Sequence, residues 1–172
     1  MRAAARKLAA AIRDAEDFRA CVFAIESEAA ERYAELADLM ATHNNREVAA
    51  LFRRLAEIEG LHARKMLAPD GSAPRLLPAG IDFVGAETVS HEAMHYLMTP
   101  RQALALALEG ECKAVALFEA LAEGAADPAI RRLAAEMAVE ERGHVALVQA
   151  WMTKFPEPEA DWDHDPDPPR LD

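Results

Sequence analysis

The sequence predicts an all-α protein, a four-helix bundle made of two antiparallel hairpins joined by one long crossover. Three observations carry this. Four stretches repeat apolar residues at a 3.6-residue period, each bounded by capping or helix-breaking residues. The connections between them run short, long, short, so the helices within each pair lie antiparallel. The composition is 52% apolar, much of it Ala, with only 6% aromatic residues. That suits closely packed helices and not a β-sandwich.

The 172 residues are enough for one domain with a substantial core. Residues 1–14 read as an N-terminal helical extension or arm. Its basic start resembles a signal n-region, but Arg13, Asp14, Glu16 and Asp17 interrupt any apolar stretch behind it. The first bundle helix is expected from Ala15 to Thr42, ending near His43-Asn44-Asn45, and the second from Asn45 to Leu67, stopped by Pro69-Asp70-Gly71. The crossover spans 68–98, with Pro74, Pro78 and Gly80 in its first half and a periodic stretch at 86–97 that fits a short helix. Thr99-Pro100-Arg101-Gln102 is a capping box with Pro at the first helical position, opening a third helix that runs to Glu123. Asp127-Pro128 opens the fourth, which runs to Lys154. The bundle thus covers about 18–153, in the ferritin-like arrangement. The Pro- and Asp-rich tail, 156–172, is expected to be extended, with Trp162 as its one large apolar side chain.

Two Glu-x-x-His motifs are the most informative feature: Glu59-Gly-Leu-His62 and Glu141-Arg-Gly-His144. Each sets a carboxylate and an imidazole one turn apart on one helix face, where both can close on one metal. Each also lies on an apolar stripe. Val48, Leu51, Leu55, Ile58 and Met66 surround the first; Ile130, Leu133, Met137, Leu147 and Trp151 surround the second. A carboxylate facing the core is costly unless paired or metal-bound. Glu26, in line with Val22, Ala29, Tyr33 and Met40, and Glu111, in line with Leu104, Leu108, Val115 and Phe118, add two more stripe-facing carboxylates. The order Glu, Glu-x-x-His, Glu, Glu-x-x-His is a weak two-fold repeat of one hairpin. Bundles that hold a di-iron or di-manganese centre use this donor set. Four carboxylates and two neutral imidazoles balance two divalent cations, and nitrogen and oxygen donors without thiolate favour Fe or Mn, with Zn as an adventitious occupant.

Neighbouring residues have alternative readings. Glu140 adjoins Glu141 and competes for the ligand role, but Glu141 has the one-turn spacing to His144. Glu28, Glu31 and Glu35 form a separate, solvated face. Tyr33 is either a core residue or a hydrogen-bond partner of a ligand carboxylate. Glu87, His91 and His95 lie together in the crossover and read as a surface face rather than a second metal site. Cys112 turns about 100° away from Glu111 and reads as packing.

The net charge of −11 argues against nucleic-acid binding and against anionic membrane surfaces. No apolar run approaches the roughly 20 residues of a membrane span. The two lone cysteines, Cys21 and Cys112, form no Cys-x-x-Cys pair and hence no rubredoxin-type iron site; they fit a reducing, cytoplasmic setting.

Glu26-Ser27-Glu28-Ala29-Ala30-Glu31-Arg32-Tyr33 resembles the first-helix signature of rubrerythrins, Glu-Ser-x-Ala-x-x-Arg-Tyr. Glu59-Gly-Leu-His62, Gly110-Glu111 and Glu141-Arg-Gly-His144 resemble the next three metal-binding segments of that family, in order and near its spacing. The resemblance implies that Glu26, Glu59, His62, Glu111, Glu141 and His144 ligate two Fe ions. It leaves the catalytic residues beyond these ligands unspecified. Two departures stand out. The family's rubredoxin domain has no counterpart cysteines here, and its second third-helix Glu, one turn after Gly-Glu, is replaced by Ala114.

The reading that follows is a di-iron oxidoreductase that reduces hydrogen peroxide or dioxygen in oxidative-stress defence. Electrons would come from an external donor, rubredoxin-like or flavoprotein, and a homodimer is expected. An iron-handling ferroxidase is the alternative, and a metal-free helical interaction module a third reading.

Overall fold

The computed structural model describes residues 2–75 and 98–157. Its elements are α1 (Arg2–Ala11), α2 (Ala15–Thr42), α3 (Arg46–Lys65), α4 (Pro100–Gly124) and α5 (Pro128–Met152). The four long helices fall within a few residues of their predicted limits. The expected short helix at 86–97, with Glu87, His91 and His95, lies outside the described residues, as do 158–172 of the tail.

Local chemistry sets the helix ends. Asp14, in extended backbone, accepts from the N–H groups of Glu16 and Asp17, satisfying donors that the first turn of α2 leaves open. Asn44 takes a left-handed φ of 60° between α2 and α3, a conformation that Asn tolerates better than most residues. Thr99 and Gln102 form the predicted capping box on α4. Asp127 caps α5 ahead of Pro128. At the other end of α5, Arg101 donates to the carbonyl of Met152, 2.6 Å away, tying the start of α4 to the finish of α5.

The arm is a separate helix. Asp14 interrupts it before α2 begins, and α1 folds back against α4, burying Ala5 and packing Ala9 and Ile12 against the apolar cluster that contains Phe18, Phe118 and Leu121. A buried Asp17 holds this corner. It accepts from the backbone and side chain of Arg13 and from Arg75 at the start of the crossover. Hydrogen bonding to Arg13 above all keeps its carboxyl at about 2.

The helix backbones approach closely within each hairpin, α2 on α3 and α4 on α5, and only sparsely between α2 and α4. Two apolar layers fill the bundle. One is built on Phe18, Val22, Leu117, Phe118 and Leu121, the other on Leu36, Met40, Phe52, Leu55 and Leu104. Glu26, Glu59, Glu111 and Glu141 come from the helix turns between these layers. The stripe assignment fails at Leu133, which is 41% exposed. Among the described residues no helix is long and apolar enough to cross a membrane.

Candidate metal centre

The structure brings all six predicted donors together. Glu26, Glu59 and Glu141 are each 2% exposed, Glu111 3%, His62 7% and His144 9%. They form two overlapping groups. Glu26, Glu59, His62 and Glu141 offer donor atoms within 4.8 Å of one another, and so do Glu59, Glu111, Glu141 and His144. Glu59 and Glu141 belong to both groups. Each histidine thus has a carboxylate of its own (Glu26 for His62, Glu111 for His144) and shares the other two.

The halves repeat each other closely. Nδ1 of His62 lies 3.0 Å from Glu59 and 3.4 Å from Glu26. Nδ1 of His144 lies 3.2 Å from Glu141, 3.4 Å from Glu111 and 3.0 Å from Glu59. The two imidazoles face each other, 6.0 Å between centroids and 17° from parallel. Helical periodicity puts each Glu-x-x-His pair on the inner face, and the hairpin pairing sets the two motifs opposite each other.

The carboxyls do not share one protonation state. Burial pushes Glu59 upward, but contacts with His144 and His62 outweigh it and hold it at about 2. Burial raises Glu141 to about 8; contact with His144 opposes this, and the charges of Glu59 and Glu111 add to it. His144 loses some basicity to burial, yet the carboxylates of Glu111, Glu141 and Glu59 raise it far above the usual imidazole range. Without metal, a carboxyl proton on Glu141 and a charged His144 relieve the repulsion among four buried carboxylates.

A metal pair fits these donors. Among the described residues, Oε1 of Glu59 and Oε1 of Glu141 are buried with no aligned hydrogen bond. Such atoms are costly to bury unsatisfied. Both belong to the shared carboxylates, where a second cation would find its lone pairs.

Tyr33 reaches the centre from α2. Its hydroxyl donates to Oε1 of Glu111 through a short contact, and its ring stacks on Phe52 at 5.9 Å. Burial first, and Glu111 second, push the phenol well above its ordinary range, so it stays a neutral donor. Glu141, not Glu140, belongs to both donor groups. Glu140 lies outside the cluster, half exposed, with Oε2 3.1 Å from Nε2 of His62. Sequence reasoning missed that contact because it runs between helices remote in the chain. Glu31 and Glu35 are exposed, as expected of a solvated face, and Glu28 is half-buried; Glu28 and Glu35 also pair with the largely buried Arg32, at 3.8 and 2.7 Å. Cys112 is partly exposed, and burial raises its thiol, so it is no ready nucleophile.

A mostly apolar cavity of about 50 Å³ opens between α2 and α4 onto the donors, lined among others by Arg32, Tyr33, Glu111 and Ala114. It is the gap that sparse contact between these helices leaves. Ala114 puts a methyl group there, one turn beyond Glu111.

A bundle of two hairpins with glutamate and histidine donors buried between apolar layers is a ferritin-like protein of the di-iron carboxylate type. Comparisons with known proteins agree. The rubrerythrin family model matches residues 102–165, which include α5 and most of α4. An uncharacterized conserved protein from Magnetospirillum magnetotacticum, known from its crystal structure, is 34% identical. The alignment covers 85% of this chain and 98% of that one, with a TM-score of 0.71. No curated protein matches. The chain belongs to the rubrerythrin-like branch of the ferritin-like superfamily.

Proposed function

We propose that this protein is a di-iron oxidoreductase that reduces hydrogen peroxide, or dioxygen, at the centre between its hairpins. The observation that carries the reading is the pair of donor groups sharing Glu59 and Glu141. In this reading Glu26 and His62 would hold one iron, Glu111 and His144 the other, and Glu59 and Glu141, which belong to both donor groups, would serve both. Mn or Zn are substitutes that the same donors accept. When bound, a ferrous pair would supply the two electrons that, with two protons from solvent, take one hydrogen peroxide to two waters, leaving both ions ferric for the external donor to reduce.

The chain's own residues supply the rest. Tyr33 orients Glu111 through a charge-assisted hydrogen bond and, remaining neutral, adds no charge to a crowded site. The cavity between α2 and α4 gives an oxidant of a few atoms a route to the donors. Its apolar walls limit water around the donors. Electrons return from an external donor, rubredoxin-like or flavoprotein, to a chain working as a cytoplasmic homodimer.

Metal analysis of anaerobically purified protein, followed by stopped-flow oxidation with peroxide and with dioxygen, tests this reading. Two irons per chain, oxidised by peroxide and reduced again over repeated turnovers, are expected. Protein that binds no iron, or whose bound iron neither oxidant changes, would refute it. A second reading, ferroxidation for iron handling, is favoured by Ala114, which leaves six donors and no extra carboxylate on α4. It predicts release or storage of ferric iron after oxidation, in place of reduction in situ.

A further inference from the structure

The two halves of the centre match donor for donor, but among the described residues only His62 has a carboxylate behind it. His62 turns Nδ1 toward Glu59 and Glu26, and Nε2 outward to Glu140, 3.1 Å away on α5. Glu140 immediately precedes the shared Glu141. The equivalent residue before the other shared carboxylate, Glu59, is Ile58, which has no acceptor to offer His144. Among the described residues, the contacts of His144 all run through Nδ1.

We propose that Glu140 is a positioning residue for His62 and that it makes the two metal positions unequal. The inference rests on the dinuclear reading above. A neutral imidazole can ligate through Nδ1 only if its proton sits on Nε2, and a carboxylate accepting from Nε2–H selects that tautomer. The same bond fixes the ring's rotation and makes Nδ1 a stronger donor. Glu140 can do this because α5 carries it past the rim of the cluster. There it lines a cavity of about 110 Å³ with His62, Lys65 and Glu136. Lys65 lines the same cavity. Glu140 makes its 3.1 Å contact with His62. The position bounded by Glu26 and His62 therefore binds a divalent cation more tightly than the one bounded by Glu111 and His144.

Zinc, diamagnetic and redox-silent, is a suitable probe of the 172-residue chain. Calorimetric titration of the metal-free protein should show two zinc ions with unequal affinities. Removing such an outer partner typically weakens metal binding by about 10–100-fold. Because Glu140 is half exposed, Glu140→Ala should lower one affinity by about tenfold, toward the weaker site, and leave the other unchanged. Glu140→Gln keeps an acceptor and should lose less. In the zinc-loaded protein, nitrogen-15 histidine spectra should show a slowly exchanging Nε2 proton on His62, lost in Glu140→Ala and kept in Glu140→Gln. Two zinc ions bound with wild-type affinities by Glu140→Ala would overturn the proposal while leaving the dinuclear reading intact. Equal weakening of both ions would overturn it too, since the effect would then pass through the shared Glu141. Wild-type protein that binds fewer than two zinc ions would overturn the dinuclear reading and the inference with it.

Discussion

The division into shared and unshared carboxylates makes a quantitative prediction. Glu26→Ala removes a donor from one group only, and Glu111→Ala from the other, whereas Glu59→Ala and Glu141→Ala each remove a donor from both. At a free metal concentration that saturates the wild type, the unshared variants should retain one ion per chain and the shared variants neither. Each ion held at about 100 times its Kd adds roughly 2.7 kcal/mol to folding stability. Two independent ions then contribute about 5.4 kcal/mol. A chain of this size gains roughly 2–4 °C in Tm per kcal/mol. Full loading should therefore raise Tm by about 11–22 °C, the unshared variants should show about half that gain, and the shared variants almost none. Each variant needs its own chelated form as reference, because deleting one buried carboxylate also relieves repulsion in the metal-free state. Elemental analysis after gel filtration gives the ion count, and calorimetry with and without chelator gives the Tm gain. Glu57→Ala, exposed on the same helix as Glu59, should leave both at wild-type values. If Glu26→Ala and Glu59→Ala lose the same number of ions, the assignment of Glu59 as shared is wrong.

Three further outcomes follow from the site. Because Glu141 holds a proton up to about pH 8, and His144 beyond it, metal must displace protons at neutral pH. Apparent affinity should therefore fall as pH drops from 8 to 6, by about tenfold per unit for each proton displaced; a weakly buffered titration with an indicator dye would detect the release, and pH-independent affinity would contradict it. Tyr33→Phe leaves Glu111 without its phenol donor and should cost roughly 1–3 kcal/mol, read as a lower Tm of the metal-loaded protein and weaker binding of one ion. Ala114→Glu adds a carboxylate one turn from Glu111, on the wall of the cavity between α2 and α4. It should raise the ratio of peroxide to dioxygen oxidation rates at equal metal content, and a wild type already preferring peroxide by orders of magnitude would show that another group supplies the selectivity.

Much of the architecture was legible because it rests on local interactions. Asp14, Thr99 with Gln102, and Asp127 before Pro128 satisfy backbone donors within three residues of themselves, so these helix starts follow from short segments. The six donors were legible for a related reason. A helix repeats every 3.6 residues, so a Glu or His in register with Val22, Leu55, Leu104 or Met137 is expected to face inward. The same argument overreached at Leu133, since periodicity names a face but not how far the neighbouring helix covers it. It likewise could not say whether the arm extends α2 or, as Arg2–Ala11 does, folds back on α4.

What remained needed contacts between residues distant in the chain. Sequence spacing puts Glu59 with His62 and Glu141 with His144, but sharing depends on how α3 and α5 face each other, and only the packed hairpins bring both carboxylates to both histidines. Tyr33 was compatible with core packing or with a ligand partner until α4 set Glu111 against its hydroxyl. Glu140 read as a rival ligand because Glu141 is its neighbour in sequence. In the fold its neighbour is His62, 78 positions away, since adjacent residues on a helix point about 100° apart and the second of the pair already occupies the inner face.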